Sequence, residues 1–359
     1  MEFGTDLLLL TSEQSVFYLT GFYTEARRPK QIGPCAVLAN GEAVALIAPD
    51  NWRIQAERAL AGRDTALICY SGGERGFSCC ICKLLAATQK TEVGIERGSI
   101  GLPLYSALKD ACPSLSFSDI SAAMEHKRMR KTPGELNCLR RAAELAALGM
   151  ERAREVLCAG ISEREVVAEL EYTMRRSGSE GVPFSVKVLT GEKSAHTTFM
   201  PDETVIRRGD LVLLDFGARW GNYASDWTRT FCIGPASPEQ RALYDAVWNV
   251  ERSCIAMMAP GVSLLQLMEH ARSLLAGSRY EPYFLPHLGH SVGINSHEWP
   301  VIEPQVDPAL VLEENMVFTI EPGIYLPGFG GVRIEDEVLI TSDGYEILTG
   351  LREEGLELI

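Results

Sequence analysis

Two apolar runs, each closed by a carboxylate and each answered across a turn by a second carboxylate, constrain this chain more than any other feature. Leu211–Leu214 reads as a buried strand and ends in Asp215; beyond a turn at Gly221-Asn222, Asp226 lies on the next strand, Tyr223–Ile233. In a hairpin centred on that turn the two aspartates are directly opposite or one diagonal apart. Either register puts them on one face, with roughly 5–7 Å between Cβ atoms. Val317–Ile320 likewise ends in Glu321, and Glu335 sits in a second run, Val332–Ile340. The loop Pro327-Gly328-Phe329-Gly330-Gly331 places 321 and 335 opposite each other about residue 328. Arg333 shares a face with Glu335, because side chains two apart on a strand point the same way. Like charges this close are destabilising unless something neutralises them. Aspartate is also depleted in strand interiors, so the competing possibility is an Asp turned to solvent at a strand end. A divalent ion is the simplest means of holding four carboxylates together.

Helix-start chemistry repeats around these hairpins. Thr132-Pro133-Gly134-Glu135 opens a long helix expected to reach about Cys158, with Thr132 as cap, Pro133 in the first turn and Glu135 completing a capping box. Gly160-Ile161-Ser162, with Glu165 beyond it, opens a shorter helix, and a β region follows over 183–233. The order recurs with a helix from near Ser237-Pro238, another opened by Gly261-Val262-Ser263, and a β region over 281–349. This is a weak internal repeat of two αα–ββ halves, with a site expected where they face each other.

The first 125 residues differ. Candidate strands at Leu7–Leu10, Cys35–Leu38, Ala43–Ala48, Ala66–Tyr70 and Glu92–Ile95 alternate with helical stretches such as Trp52–Ala61 and Ser78–Gln89. That order predicts a small α/β domain with a mixed sheet. Met124–Lys131 is basic and reads as an irregular boundary, which gives domains of 1–125 and 126–359. At 359 residues two domains are the ordinary expectation.

A net charge of −14 argues against a nucleic-acid partner, which calls for a basic stripe, and against an anionic membrane surface. The start Met1–Asp6 is acidic where a secretory signal would be basic, and Leu7–Leu10 is too short to span a membrane, so a cytoplasmic protein is expected. The ten cysteines fit that compartment as buried free thiols. Cys79, Cys80 and Cys82 lack the paired spacing of a zinc site and are read as small core residues beside Ile81 and Leu84-Leu85.

A nitrogen ligand comes from the histidines. The chain has six, and three of them, His287, His290 and His297, fall within Pro286–Glu298. One histidine with four carboxylates is an oxygen-rich set that suits Mn²⁺, Co²⁺ or Fe²⁺ better than a structural zinc site, which would show thiolates. The ligand set is Asp215, Asp226, His290, Glu321 and Glu335, and two ions would fit it.

These segments resemble the pita-bread metallopeptidases, a group that includes Xaa-Pro dipeptidase, aminopeptidase P and methionine aminopeptidase. The matching stretches are Leu213–Gly217, Tyr223–Thr230, Gly289-His290 through His297-Glu298, Thr319–Gly323 and Arg333–Asp336. Tyr18–Phe22 and Asp50–Ala56 resemble the N-terminal creatinase-like domain of the proline-specific branch, although Trp52 and Arg53 depart from the usual Arg-Tyr order. Methionine aminopeptidase of bacteria lacks that domain and the Arg-x-Glu segment seen at 333–335, so the proline-specific branch is the one implied.

The resemblance implies an α+β pita-bread catalytic domain with pseudo-twofold halves behind the α/β domain. It also implies two divalent ions per chain, Mn²⁺ or Co²⁺ ahead of Zn²⁺ or Fe²⁺, a small peptide as substrate, and a homodimer. A hydroxide bridging the ions would attack the Xaa-Pro bond, with Glu321 moving the proton and His297 and His196 hydrogen-bonding the carbonyl oxygen. Arg333 would orient Glu335, and His287, Tyr223 and Thr228 would lie around the metals or substrate. Two departures stand out: the stretch from His196 to Asp210 is slightly longer than the family's and contains Met200-Pro201, and His287 lies one residue closer to His290.

Xaa-Pro dipeptidase is the favoured activity, on the ground of the short N-terminal domain. Arg27-Arg28 is a candidate clamp for a dipeptide's free carboxylate. Aminopeptidase P acting on longer peptides is the alternative. A metal-free binding module and a non-peptidase metalloenzyme on the same scaffold are further rivals; the intact ligand set counts against the first.

Overall fold

The computed structural model describes residues 5–23, 34–349 and 355–359 of the chain. It divides into two units, Met1–Lys127 and Arg128–Ile359. Arg27-Arg28 lies outside the described residues.

The first unit is built on a mixed six-stranded sheet in the order β4-β3-β2-β1-β5-β6. Its strands are β1 (Leu7–Leu10), β2 (Ala36–Asn40), β3 (Val44–Pro49), β4 (Ala66–Tyr70), β5 (Glu92–Ile95) and β6 (Ser116–Asp119). The four leucines of β1 show why the run is unbroken: Leu7 and Leu9 join one core cluster, Leu8 and Leu10 another, so the central strand is buried on both faces. Strand β6 has no run of apolar residues and was not foreseen. The helix expected from Ser78 starts at Gly73 instead and runs to Thr88. Its glycine-rich opening looks like a turn locally, but burial of Phe77 and Ile81 against the sheet extends the helix through it.

Met124–Lys131 is not irregular as expected. Ser121–Met129 is helical, because Asp119 Oδ1 accepts from Ser121 N at 3.0 Å and Met124 and Met129 are buried. The cysteines also differ from expectation: only Cys232 and Cys254 are buried, Cys79 and Cys158 are exposed, and the others are intermediate. Ile81 and Leu85 fill the helix's inner face, which leaves Cys79 on the outer one.

The second unit holds the repeat. Helices Pro133–Val156 and Glu163–Arg176 precede the sheet β19-β11-β8-β7; helices Pro238–Ala256 and Leu264–Leu275 precede the sheet β13-β12-β14-β17-β18. All four helices start with a capping box, on Thr132/Glu135, Ser162/Glu165, Ser237/Gln240 and Ser263/Gln266. In the first sheet β7 is Lys187–Thr190, β8 is Leu211–Phe216, β11 is Trp227–Cys232 and β19 is Glu357–Leu358, with the short pair β9 (Arg219–Trp220) and β10 (Tyr223–Ala224) closing the hairpin. In the second, β12 is Gly289–Ser291, β13 Glu298–Ile302, β14 Val317–Ile320, β17 Asp336–Ile340 and β18 Tyr345–Ile347; β15 (Gly323–Leu326) pairs with β16 (Gly330–Arg333). Each half has its own apolar core. Among the described residues no helix is long and apolar enough to cross a membrane.

Candidate metal centre

The two hairpins keep the registers that place carboxylates together. Asp215 pairs with Thr228 and Trp220 with Tyr223, one continuous register that sets Asp226 opposite Gly217 and diagonal to Asp215. A side chain at Gly217 could not be accommodated, since a Cβ there would lie 1.7 Å from Ser225 O. In the second hairpin Ile320 pairs with Asp336 and Gly323 with Arg333, so Glu321 faces Glu335.

Two strands expected to be continuous are each interrupted, and both breaks fall at a candidate ligand. Tyr223–Ile233 breaks at Ser225-Asp226, where Asp226 N donates to Glu337 Oε1 at 2.8 Å. Val332–Ile340 breaks at Ile334-Glu335, where Glu335 N donates to Thr228 O at 3.1 Å and the two residues form an isolated bridge. Each ligand's backbone leaves its own ladder for a partner in the other half. The result is one row of facing residues, Lys187, Asp215, Thr228, Glu335 and Glu321, running from one half into the other.

His290 enters from β12. A Cβ on the preceding Gly289 would lie 2.0 Å from Thr319 O, so only glycine lets this strand approach β14 so closely. His290 N donates to Thr319 Oγ1 at 3.1 Å. Its Nδ1 lies 3.2 Å from Ser291 O, and since a carbonyl only accepts, Nδ1 carries the proton of that bond. Nε2 is left facing Glu321 Oε1 at 3.0 Å and Asp226 Oδ2 at 3.9 Å, buried and without a hydrogen bond of its own. A buried ring nitrogen left without a hydrogen bond among carboxylate oxygens is a position where a cation would be held. Glu335 Oε1 is also buried without a hydrogen-bond partner.

The potential ligand atoms fall into three groups: Asp215, Asp226 and Glu335; His287, His290 and Glu321; Asp226, His290 and His297. In each, the atoms lie within 4.8 Å of one another. Burial, and then the neighbouring carboxylates, push Asp226 and Glu335 well above the usual carboxylate range. Burial also acts to raise Glu321, but the hydrogen bond from His287, with Arg333 nearby, outweighs it and holds this carboxyl well below that range. The site is thus a low-dielectric pocket with more negative charge than protons can comfortably neutralise.

The surrounding residues refine the expectations. His287, despite its shifted spacing, reaches the site: Nε2 is 3.0 Å from Glu321 Oε1, and that hydrogen bond raises its pKa. His297 stacks on His290 with ring centroids 4.1 Å apart and packs edge-on against Phe184. Although one edge is open to solvent, desolvation and then the proximity of His290 lower its pKa, which favours the neutral ring. Arg333 reaches Glu335 indirectly rather than through a hydrogen bond of its own. Its NH2 donates to Asp215 Oδ2, its NH1 to Tyr325 OH at 2.9 Å and its Nε to Thr228 Oγ1 at 3.1 Å. Thr228 Oγ1 in turn donates to Glu335 Oε2 at 2.6 Å, so the arginine acts on Glu335 through the threonine.

Tyr223 turns its hydroxyl to the capping residue Glu135, 2.9 Å away, which makes it a tie to the long helix rather than a group facing the ligands. His196 stacks on Phe199 at 4.6 Å and belongs to none of the three ligand groups. The turn before it is pinned to the second hairpin by Gly331 N donating to Ser194 Oγ at 2.8 Å. Lys187, Glu337 and Tyr325 were not foreseen as part of the site. The first two had a signal: a lone lysine opening the apolar run Val188-Leu189, and a glutamate two residues after Glu335.

Comparison with known proteins gives a family match for each of the two units. Residues 137–342 match metallopeptidase family M24, and residues 2–130 match the creatinase/prolidase N-terminal domain. An Xaa-Pro dipeptidase from Pyrococcus furiosus is 38% identical over 262 residues, 73% of this chain and 74% of that protein. Among solved structures, an Xaa-Pro dipeptidase from Bacillus anthracis has a TM-score of 0.89 at 31% identity, covering 100% of this chain and 96% of that one. An X-Pro aminopeptidase from Thermotoga maritima has a TM-score of 0.87 at 30% identity, covering 99% and 98%.

Proposed function

We propose that this chain, which belongs to metallopeptidase family M24, hydrolyses the Xaa-Pro bond of dipeptides with two divalent ions held by Asp215, Asp226, His290, Glu321 and Glu335. The observation that carries the metal reading is the buried Nε2 of His290, without a hydrogen bond among carboxylate oxygens, together with the partnerless Glu335 Oε1. The residues fit such ions: four carboxylates and one imidazole form an oxygen-rich set suited to Mn²⁺ or Co²⁺. Xaa-Pro specificity is supported by the relatives named Xaa-Pro dipeptidase, one of which matches over the whole of this chain. The similarity to an X-Pro aminopeptidase supports action on longer peptides as the second reading.

Bound ions would lower the pKa of a water towards neutrality and polarise the scissile carbonyl. The protein's own groups do the rest. Glu321, kept anionic by His287 and Arg333, accepts the proton of the attacking water and passes it to the departing proline nitrogen. His297, favoured as the neutral ring, donates an N–H to the carbonyl oxygen as negative charge develops there, and His196 assists from its loop. Thr228 and Arg333 hold Glu335 and Asp215 in place so that neither carboxylate has to reorganise during the reaction.

The test is to strip the protein of metal, add back Mn²⁺ or Co²⁺, and offer Ala-Pro, Ala-Pro-Ala and Met-Ala-Ser. Metal-dependent release of alanine from Ala-Pro alone is the expected result. Release from Ala-Pro-Ala would favour the aminopeptidase reading. If only Met-Ala-Ser is cut, or none of the three, the proline-directed reading is wrong.

A further inference from the structure

The row of facing residues that carries the acidic ligands begins with a lysine for which the chemistry above has no use. Lys187 stands directly opposite Asp215 in the β7–β8 pairing. Its Nζ lies 3.4 Å from Asp215 Oδ2, with the side chain 25% exposed. The same carboxylate oxygen receives Arg333 NH2. Two basic side chains therefore converge on one oxygen of Asp215. Glu321, at the far end of the row, has imidazoles as its close neighbours, with Arg333 Nε no nearer than 3.9 Å.

Charge balance separates the two ends of the site. The four carboxylates set against Arg333 and Lys187 leave a negative charge that one divalent ion neutralises. A second ion entering the Asp215, Asp226 and Glu335 group must do so beside an ammonium already bound to one of its ligands. Lys187 can yield, because its flexible stem leads to a partly exposed head that can turn to water. Yielding costs the ion pair, and the residual repulsion between two cations persists in a pocket of low dielectric.

We propose that Lys187 is a built-in counter-ion that weakens divalent-ion binding at the Asp215, Asp226 and Glu335 end of the site. This rests on the two-ion reading given above. Lys187 acts here as a positioning and tuning residue, in contact with a ligand rather than with the reacting atoms.

The experiment titrates Mn²⁺ into the metal-free full-length protein, its Lys187→Met variant and its Lys187→Arg variant. Heat of binding gives the two affinities, and the electron paramagnetic resonance signal of free Mn²⁺ gives the stoichiometry. Wild type is expected to bind two ions in separate steps. Removing the ammonium is expected to tighten the weaker step on the order of tenfold or more, as expected for a unit charge beside a divalent ion in a partly screened pocket. The stronger step should not change, and Lys187→Arg should keep the wild-type separation. An unchanged weaker step in Lys187→Met would overturn the proposal, as would weakening of both steps. Unaltered Mn²⁺ binding with a raised KM for Ala-Pro would also overturn it, assigning the lysine to the substrate's carboxylate instead. If wild type and both variants bind no Mn²⁺ or Co²⁺ at all, the two-ion reading itself fails and this inference goes with it.

Discussion

At the scale of single residues, the site is governed by groups that touch ligands as much as by the ligands. Thr228 receives Arg333 and donates to Glu335, so one hydroxyl links both halves of the site. Thr228→Val keeps the shape and removes the link; Mn²⁺ affinity should fall roughly 10–100-fold, the usual effect of losing a partner that orients a ligand. Calorimetric titration checks this, and an unchanged affinity would mean Glu335 holds its place unaided. A second residue, Lys131, is buried, with Nζ donating to Met129 O and Ser291 Oγ at 3.1 Å each. Burial pulls its pKa from 10.5 down to about 8. Between those values the unfolded chain binds the proton that the folded one has lost, so this group's contribution to stability rises with pH across that window. Below pH 8 the cost of burying the charge is felt in full. Urea denaturation of wild type and Lys131→Met from pH 7.5 to 10.5 should therefore show wild type gaining on the order of 3 kcal/mol relative to the variant. A difference that stays flat with pH would contradict this.

At the scale of elements, local chemistry and tertiary packing made separable contributions. The four capping boxes and the strands Leu7–Leu10, Ala66–Tyr70, Glu92–Ile95 and Val317–Ile320 agree with expectation because each is specified by its own residues or by a continuous apolar run. Strand β6 and the helix Ser121–Met129 were missed because their sequences are polar and their support comes from neighbouring elements. The two interrupted strands were missed for a related reason: nothing local distinguishes Asp226 or Glu335 from a strand residue, and their backbones turn aside to partners more than a hundred residues away. Strand β12 depends on Gly289, whose neighbour Thr319 leaves no room for a side chain. Gly289→Ala should separate β12 from β14, lower stability by roughly 2–4 kcal/mol and abolish the contribution of His290 to metal binding. Thermal unfolding and Mn²⁺ titration of this variant test both statements; a stable protein with unaltered Mn²⁺ binding would show that the strand can shift without consequence.

At the scale of the whole molecule, the buried carboxylates couple metal to stability. In the second unit the candidate ligands are almost wholly buried, and without a counter-charge Asp226 and Glu335 are forced towards their protonated forms. Ions that bind only the folded chain stabilise it by mass action, by about 2.7 kcal/mol at a free concentration one hundred times Kd. Urea unfolding of the full chain in excess Mn²⁺ and in a chelator should differ by at least that amount, with a higher midpoint in Mn²⁺. Coincident curves would mean that the acidic cluster folds without help from a cation.

The sequence by itself determined the ingredients and their spacing. Two hairpins with centres at 221–222 and 328, a histidine-bearing segment, and helices announced by their caps were all written in residues close to one another along the chain. Register needs only alternation and a turn, and both are local. The tertiary structure alone decided how the hairpins meet. It brought Thr228 to Glu335 and Glu337 to Asp226, sent Arg333 to Asp215, turned Tyr223 to Glu135, and set Lys187 at the end of the ligand row. Those contacts join residues far apart in the chain, and their partners were chosen by burial and charge neutralisation in a shared pocket, which no single segment encodes.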